Sequence, residues 1–300
     1  MIRNPIPWPN GARCAVAITF DMDADSLIHI AQPKRAPDFV STTSMLRYGP
    51  EIAIPRILDT YKKLEIQQTF FIPGWCAETH PRAVEAIVKN DHEVALHSYI
   101  HESSYDFTRD DEHYWLRRSR QALETVSGVR IKGWRAPMYS FSRHSAALLA
   151  EEGFVYDSSL MGDDQPYFIE TEQGRLVELP AHWGMDDYPQ YAHTPELNYA
   201  VPVRAPSEAI RNYREEFEAH YAHGGLWVGV WHPFLTGRLA RWHAIEQFLL
   251  EIREYKDVWF TTLDNIARHL YDCTQSGTYQ PRVDQLPYST NPVSLLKETD

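Results

Sequence analysis

Carboxylates and imidazoles in this chain stand at the ends of apolar runs, where hydrolytic acid–base or metal chemistry would need them. Phe20-Asp21-Met22-Asp23-Ala24-Asp25 follows the run Cys14–Phe20. A D-x-D on its own is more readily a solvated acidic turn than a site. A calcium loop also begins this way, but it needs Gly at the sixth position and Glu at the twelfth, where Ser26 and Gln32 stand. His97-Ser98-Tyr99-Ile100-His101 closes the run Glu93–Leu96. On a helical turn, residues four apart face the same way and can share one metal. A chain with 14 histidines yields about one such pair by chance, so its place at a strand end is what lends it weight. Trp231-His232-Pro233 closes Leu226–Trp231, and Arg135-Ala136-Pro137 and Tyr156-Asp157-Ser158-Ser159 also lie at strand ends. The last two are equally compatible with ordinary turn chemistry. There is no G-x-S-x-G nucleophile elbow and no G-x-x-x-x-G-K phosphate loop.

The elements that must position these residues alternate in type. Short β-rich runs are read at Cys14–Phe20, Gln68–Ile72, Glu93–His97, Ile131–Trp134, Leu176–Leu179, Leu226–Trp231 and Val258–Thr261, with Val155–Ser158 as a further candidate. Helical patterns occupy Glu51–Leu64, Pro81–Asn90, Asp110–Ser127, Arg143–Glu152, Pro206–Ala222, Ala240–Tyr255 and Leu263–Tyr271. Pro81 suits a first turn, and Ser142 and Gly153 bracket one helix as caps. Alternation of this kind implies a parallel sheet. Seven or eight units in 300 residues point to an α/β fold of the distorted (β/α) TIM-like barrel kind. The open doubly wound sheet is the alternative, and no Gly-rich dinucleotide fingerprint supports it. Barrel active sites lie at the carboxyl ends of strands, which is where all five motifs fall.

Composition narrows the partners. Hydrophobic residues make up 43% and charged residues 23%, enough to bury a core without staples. A net charge of -12 argues against nucleic acid. Cys14, Cys76 and Cys273 are too few and too scattered for a disulfide framework. The first ten residues contain no apolar signal core, and no run is long enough to span a membrane, so a cytoplasmic protein is expected. Three stretches look irregular: Ala24–Pro50, Met161–Arg175 and Trp183–Arg204. Their Phe39, Tyr48, Tyr167, Phe168, Trp183, Tyr188 and Tyr191 are expected to wall a compact ligand. The catalytic domain is assigned to residues 1–274, followed by an irregular tail over 275–300.

Taken in order, the five motifs resemble the polysaccharide deacetylase superfamily, the NodB-homology (carbohydrate esterase 4-like) proteins, over about Ala12 to Arg268. The separated Asp21 and Asp23, together with Ser158–Met161, Glu178–Trp183, Asp186-Asp187 and His232-Pro233, are similar to a branch holding cytosolic peptidoglycan-deacetylase-like proteins and cyclic imide hydrolases. Where the family has tyrosine after R-x-P, this chain has Met138 and then Tyr139. The resemblance implies that Asp23, His97 and His101 bind a divalent metal, for which Zn2+ suits two nitrogens and one oxygen. It makes Asp21 the general base, Arg135 its partner, and His232 the acid that protonates the leaving nitrogen, oriented by Asp157. Pro137, Met138, Tyr139 and Trp183 become substrate contacts, with the backbone N–H of Met138 as oxyanion donor. The implied activity is hydrolysis of non-peptide C–N bonds. The substrate expected is a small cyclic imide or ureide. N-acetylated sugar or glycan is the alternative, and a catalytically silent binding protein is the reading from another class. A homo-oligomer without nucleic-acid or membrane partners is also implied.

Overall fold

The computed structural model describes residues 1–290 of the 300-residue chain. Strand β1 (Cys14–Asp21) is buried along its whole length. A strand covered on both faces reads as a nearly unbroken apolar run, and this one does. It pairs in parallel with β2 (Thr69–Ile72), and the order continues through β3 (Glu93–Leu96), β4 (Gly133–Trp134) and β5 (Tyr156–Asp157). Strands β6 (Tyr167–Thr171) and β7 (Gly174–Glu178) form an antiparallel hairpin whose second arm runs parallel to β5. A small separate hairpin follows, β8 (His193–Thr194) with β9 (Tyr199–Ala200). Strand β10 (Leu226–Trp231) returns to the other side of β1, β11 (Val258–Phe260) pairs with the start of β1, and β12 (Val283–Gln285) pairs with β6.

The parallel strands in the order β10-β1-β2-β3-β4-β5-β7 make a distorted β/α barrel, as expected. Its seam lies between β7 and β10. There Asp186 makes an isolated parallel bridge to Val230, and the Asp187 N–H donates to the Val230 carbonyl at 3.0 Å. Residues just beyond β7 thus do the joining that a further strand would do in a regular barrel. Helices cover the outside. The helix Arg109–Ser127 starts where Thr108 Oγ1 accepts from Asp111 N, carries Asp110, Asp111 and Glu112 in its first turn, and stops at Gly128 with φ 70°. Pro206 opens the helix Pro206–His223. No helix among the described residues is long and apolar enough to cross a membrane.

Three expectations need correction. Met161–Arg175 is not an irregular loop over the site, because it supplies β6 and the turn into β7. Its Tyr167 and Phe168 are buried in the sheet. Ala24–Pro50 is largely helical, with helices at Ser26–Ala31 and Val40–Tyr48. Within the expected tail, residues 283–285 form β12, and residues 291–300 lie outside the described ones.

Candidate active site

Each of the five motifs sits at or just beyond the carboxyl end of a barrel strand. Asp21 ends β1, His97 follows β3, Arg135 follows β4, Asp157 ends β5 and His232 follows β10. Asp23 is fully buried, and neither carboxylate oxygen has a hydrogen-bond partner. Three imidazole Nε2 atoms face it instead: His97 at 3.5 Å, His101 at 3.6 Å and His232 at 3.4 Å. The ligand atoms of Asp23, His97 and His101 all lie within 4.8 Å of one another. His97 Nδ1–H donates to the Arg135 carbonyl at 2.8 Å, which leaves the Nε2 lone pair free towards Asp23. A buried carboxylate without donors is costly unless a cation satisfies it, so the trio fits one divalent ion.

The histidine pair does not ride on a helix. Ser98 and His101 are left-handed, with φ 59° and 68°, and the intervening turn is held by Glu102, whose carboxylate accepts from the N–H groups of Tyr99 and Ile100. Left-handed non-glycine residues cluster around the site: Ala24, Ser98, His101, Met138 and Tyr139. Strained backbone of this kind persists where surrounding structure imposes it.

Arg135 is fully buried and donates to Asp21 at 2.8 Å, to Thr19 Oγ1 at 2.7 Å, and to the carbonyl and Oγ of Ser158 at 2.9 Å each. Burial pushes the Asp21 carboxyl up, but Arg135, His97 and His232 together bring it below the ordinary range, so it is ionised. Burial drives the other way on His101, which falls to about 4 and stays neutral. His232 rises to about 10, because Asp187, Asp23 and Asp186 outweigh its burial.

Asp157 does not orient His232. Its carboxylate accepts from Ser159 N at 2.9 Å and Ser159 Oγ at 2.6 Å, and it lies opposite Glu178 in the β5–β7 register. The residue that orients His232 is Asp187, which accepts from His232 Nδ1 at 2.6 Å, from His232 N at 3.0 Å, and from Thr236 N at 3.2 Å. The signal for it was the Asp186-Asp187 pair in a stretch without periodicity.

A cavity of about 710 Å³ opens above the cluster. Met138, Tyr139 and Trp183 line it, while Pro137 is buried beside them. Tyr139 meets Trp183 edge-on at 4.7 Å, and its hydroxyl donates to Asp186 Oδ2 at 2.7 Å. Of the aromatics expected in the wall, Trp183 and Tyr188 are there, and Tyr199 joins them from β9. Tyr191 is buried elsewhere under Arg241, and Tyr48 stacks with Arg238. Glu102, Ser103, Asp106 and Phe107 also line the cavity, and aliphatic walls come from Leu27, Ile30 and Ala31 of the first helix and from Leu197 of the β8–β9 turn. These two walls touch, with Gln32 Nε2 donating to the Glu196 carbonyl at 3.4 Å.

Comparison with known proteins bears on the chemistry. The family model for polysaccharide deacetylase matches residues 43–156. A crystal structure from Mycobacterium smegmatis, assigned as a polysaccharide deacetylase, superposes with TM-score 0.90 at 38% identity, covering 98% of this chain and 99% of that one. A peptidoglycan deacetylase of Helicobacter pylori is 25% identical over 281 residues, 84% of this chain and 95% of its own. The Puue allantoinase structure shares the fold, with TM-score 0.77 at 23% identity over 90% of this chain and 95% of its own.

Proposed function

This chain belongs to the polysaccharide deacetylase family, hydrolases of carbon–nitrogen bonds other than peptide bonds, and from that premise we propose that it opens a small cyclic imide or ureide. The single observation that carries the substrate reading is the contact between helix Ser26–Ala31 and the β8–β9 turn, which closes one side of the cavity. A polymer needs a cleft with two exits, whereas a compact ring needs one mouth. The presence of an allantoinase among proteins of this fold is in keeping with a ring-opening hydrolase.

Asp23, His97 and His101 are the residues that would hold the divalent cation, for which we propose zinc. When bound, it supplies Lewis-acid activation of water and of the substrate carbonyl. Asp21, kept ionised by Arg135, takes the proton of the attacking water. The Met138 N–H, of a residue lining the cavity, would donate a hydrogen bond to the carbonyl oxygen as negative charge develops there. His232 is held by Asp187 through Nδ1 and is raised to about 10 by the surrounding carboxylates, so both ring nitrogens are protonated and Nε2 carries the proton that the leaving nitrogen needs.

One observation favours a second reading, N-deacetylation of an acetylated sugar: the Helicobacter pylori relative matches over 95% of its own length. The test is hydrolysis of succinimides and hydantoins against acetylated chito-oligosaccharides, with and without added zinc. Acetate release from the oligosaccharides with the imides untouched would overturn the ring-opening reading.

A further inference from the structure

The cavity is far larger than the ring placed in it. At about 30 Å³ per water, 710 Å³ has room for more than twenty waters, and pockets of this size suit drug-sized ligands. An unsubstituted imide would leave most of that space wet. What fills the rest is readable from the walls. Leu27 and Ile30 face it from the first helix, Leu197 and Tyr199 from the small hairpin, and Met138 and Trp183 from the rim. Ile30, Met138 and Trp183 are 40%, 59% and 47% exposed, so an apolar rim is left open to water. Large apolar side chains held at the mouth of a cavity are a surface that a ligand covers.

Beyond His232 and the metal site at its base, the charged groups lining the cavity are acidic. Among the described residues that line it there is no Lys or Arg, while Glu102, Asp106 and Asp186 add carboxylates to Asp21 and Asp23. Arg135, the nearest guanidinium in the site, is committed below to Asp21, Thr19 and Ser158. A ligand with its own carboxylate would meet no counter-charge at the rim. We infer that the substrate is an uncharged cyclic imide or amide bearing a bulky apolar substituent, seated between Ile30 and Trp183, and that carboxylated analogues are rejected. This rests on the ring-opening reading and adds to it the class of substituent.

The experiment uses the full-length, zinc-loaded protein with succinimide, 2-phenylsuccinimide, 2-(4-carboxyphenyl)succinimide and an acetylated chito-oligosaccharide. The phenyl compound should show kcat/KM at least about tenfold above both other imides, in line with what even one added methylene contributes in an apolar pocket. Trp183→Ala should lower the ratio of phenyl to unsubstituted kcat/KM severalfold. Ile30→Ser, on the opposite wall, should do the same and guards against misfolding of the first variant. Quenching of tryptophan fluorescence by the phenyl compound, weaker for its carboxylated analogue, should appear in zinc-free protein as well. Equal kcat/KM for the three imides, or a preference for the carboxylate, overturns the inference and leaves ring opening standing. Imides that are all inert beside a deacetylated oligosaccharide overturn the ring-opening reading itself.

Discussion

Asp23 holds two buried oxygens that no protein donor satisfies, and three imidazoles lean towards it at 3.4–3.6 Å without forming a hydrogen bond. Metal binding should therefore contribute to stability. With free zinc about 100-fold above Kd, unfolding should cost about 2.7 kcal/mol more than after chelation. Urea titrations with and without chelator measure this, and Asp23→Ala should show no zinc-dependent difference. As the proposed base Asp21 would act by its charge, so Asp21→Asn should keep stoichiometric zinc but lose about 10²–10⁴-fold in kcat. A variant turning over at near wild-type rate would place the base elsewhere. Asp25 is not free for that role, because it pairs with His80 at 2.6 Å. Asp187 is a positioning residue. Asp187→Asn should lower kcat about 10–100-fold while KM stays near wild type, since its bond reaches the substrate only through His232. A rise in KM at constant kcat would contradict that role.

At the level of strands, β4 and β5 form the floor beside Arg135, which follows β4 and donates to Ser158 just beyond β5. Gly133 has no room for a side chain: a Cβ there would lie 1.9 Å from the Tyr156 ring across the β4–β5 pairing. Gly133→Ala should destabilise by about 3 kcal/mol in chemical denaturation, because the floor must move to admit the methyl. One register step on, Asp157 and Glu178 face each other in full burial. Burial and the neighbouring carboxyl push Glu178 well above the usual range, and Asp157 is raised with it, so the pair shares a proton that Glu178 donates. A carboxyl whose folded pKa is raised stabilises the fold below its unfolded value, and that contribution is lost as pH rises through the folded value. Wild-type stability should therefore decline as pH rises from the ordinary carboxyl range towards the raised folded value of Glu178. Glu178→Gln, which carries a permanent donor, should flatten that decline in pH-dependent unfolding. This pairing also shows where sequence reading stops. Asp157 was visible as an acid at a strand end, but cross-strand register is not written in local pattern, so its partner was assigned as His232 when it is Glu178. Asp187 stands out only through the resemblance of the Asp186-Asp187 pair, with no role attached to it, because its segment joins the barrel by one bridge and has no strand periodicity to mark it.

Across the whole molecule, the barrel was legible because its strands are apolar runs with clear punctuation. Leu226–Trp231 was read to the residue, between Gly224-Gly225 and Pro233. Strand β6 is not legible in this way, because only Tyr167–Ile169 of it is buried and its last two residues are half-buried and polar. The assembly state has no counterpart in a single chain. A homo-oligomer is expected, and light scattering at micromolar concentration giving about the 34.8 kDa of one chain would refute it. The pairing of β1 with β10 has a bearing on how the protein is made. Thr19 and Gly229 are bonded across 210 residues of chain. At roughly 5–20 residues per second of synthesis, β1 must wait on the order of 10–40 s for its partner to leave the ribosome. For that interval an apolar strand lacks the neighbour that buries it, and His232, proposed as the acid, does not yet exist beside Asp21, proposed as the base. The nascent chain is thus both inert and sticky until its last third arrives, so chaperone capacity during translation, more than the stability of the finished barrel, should limit the yield of active protein.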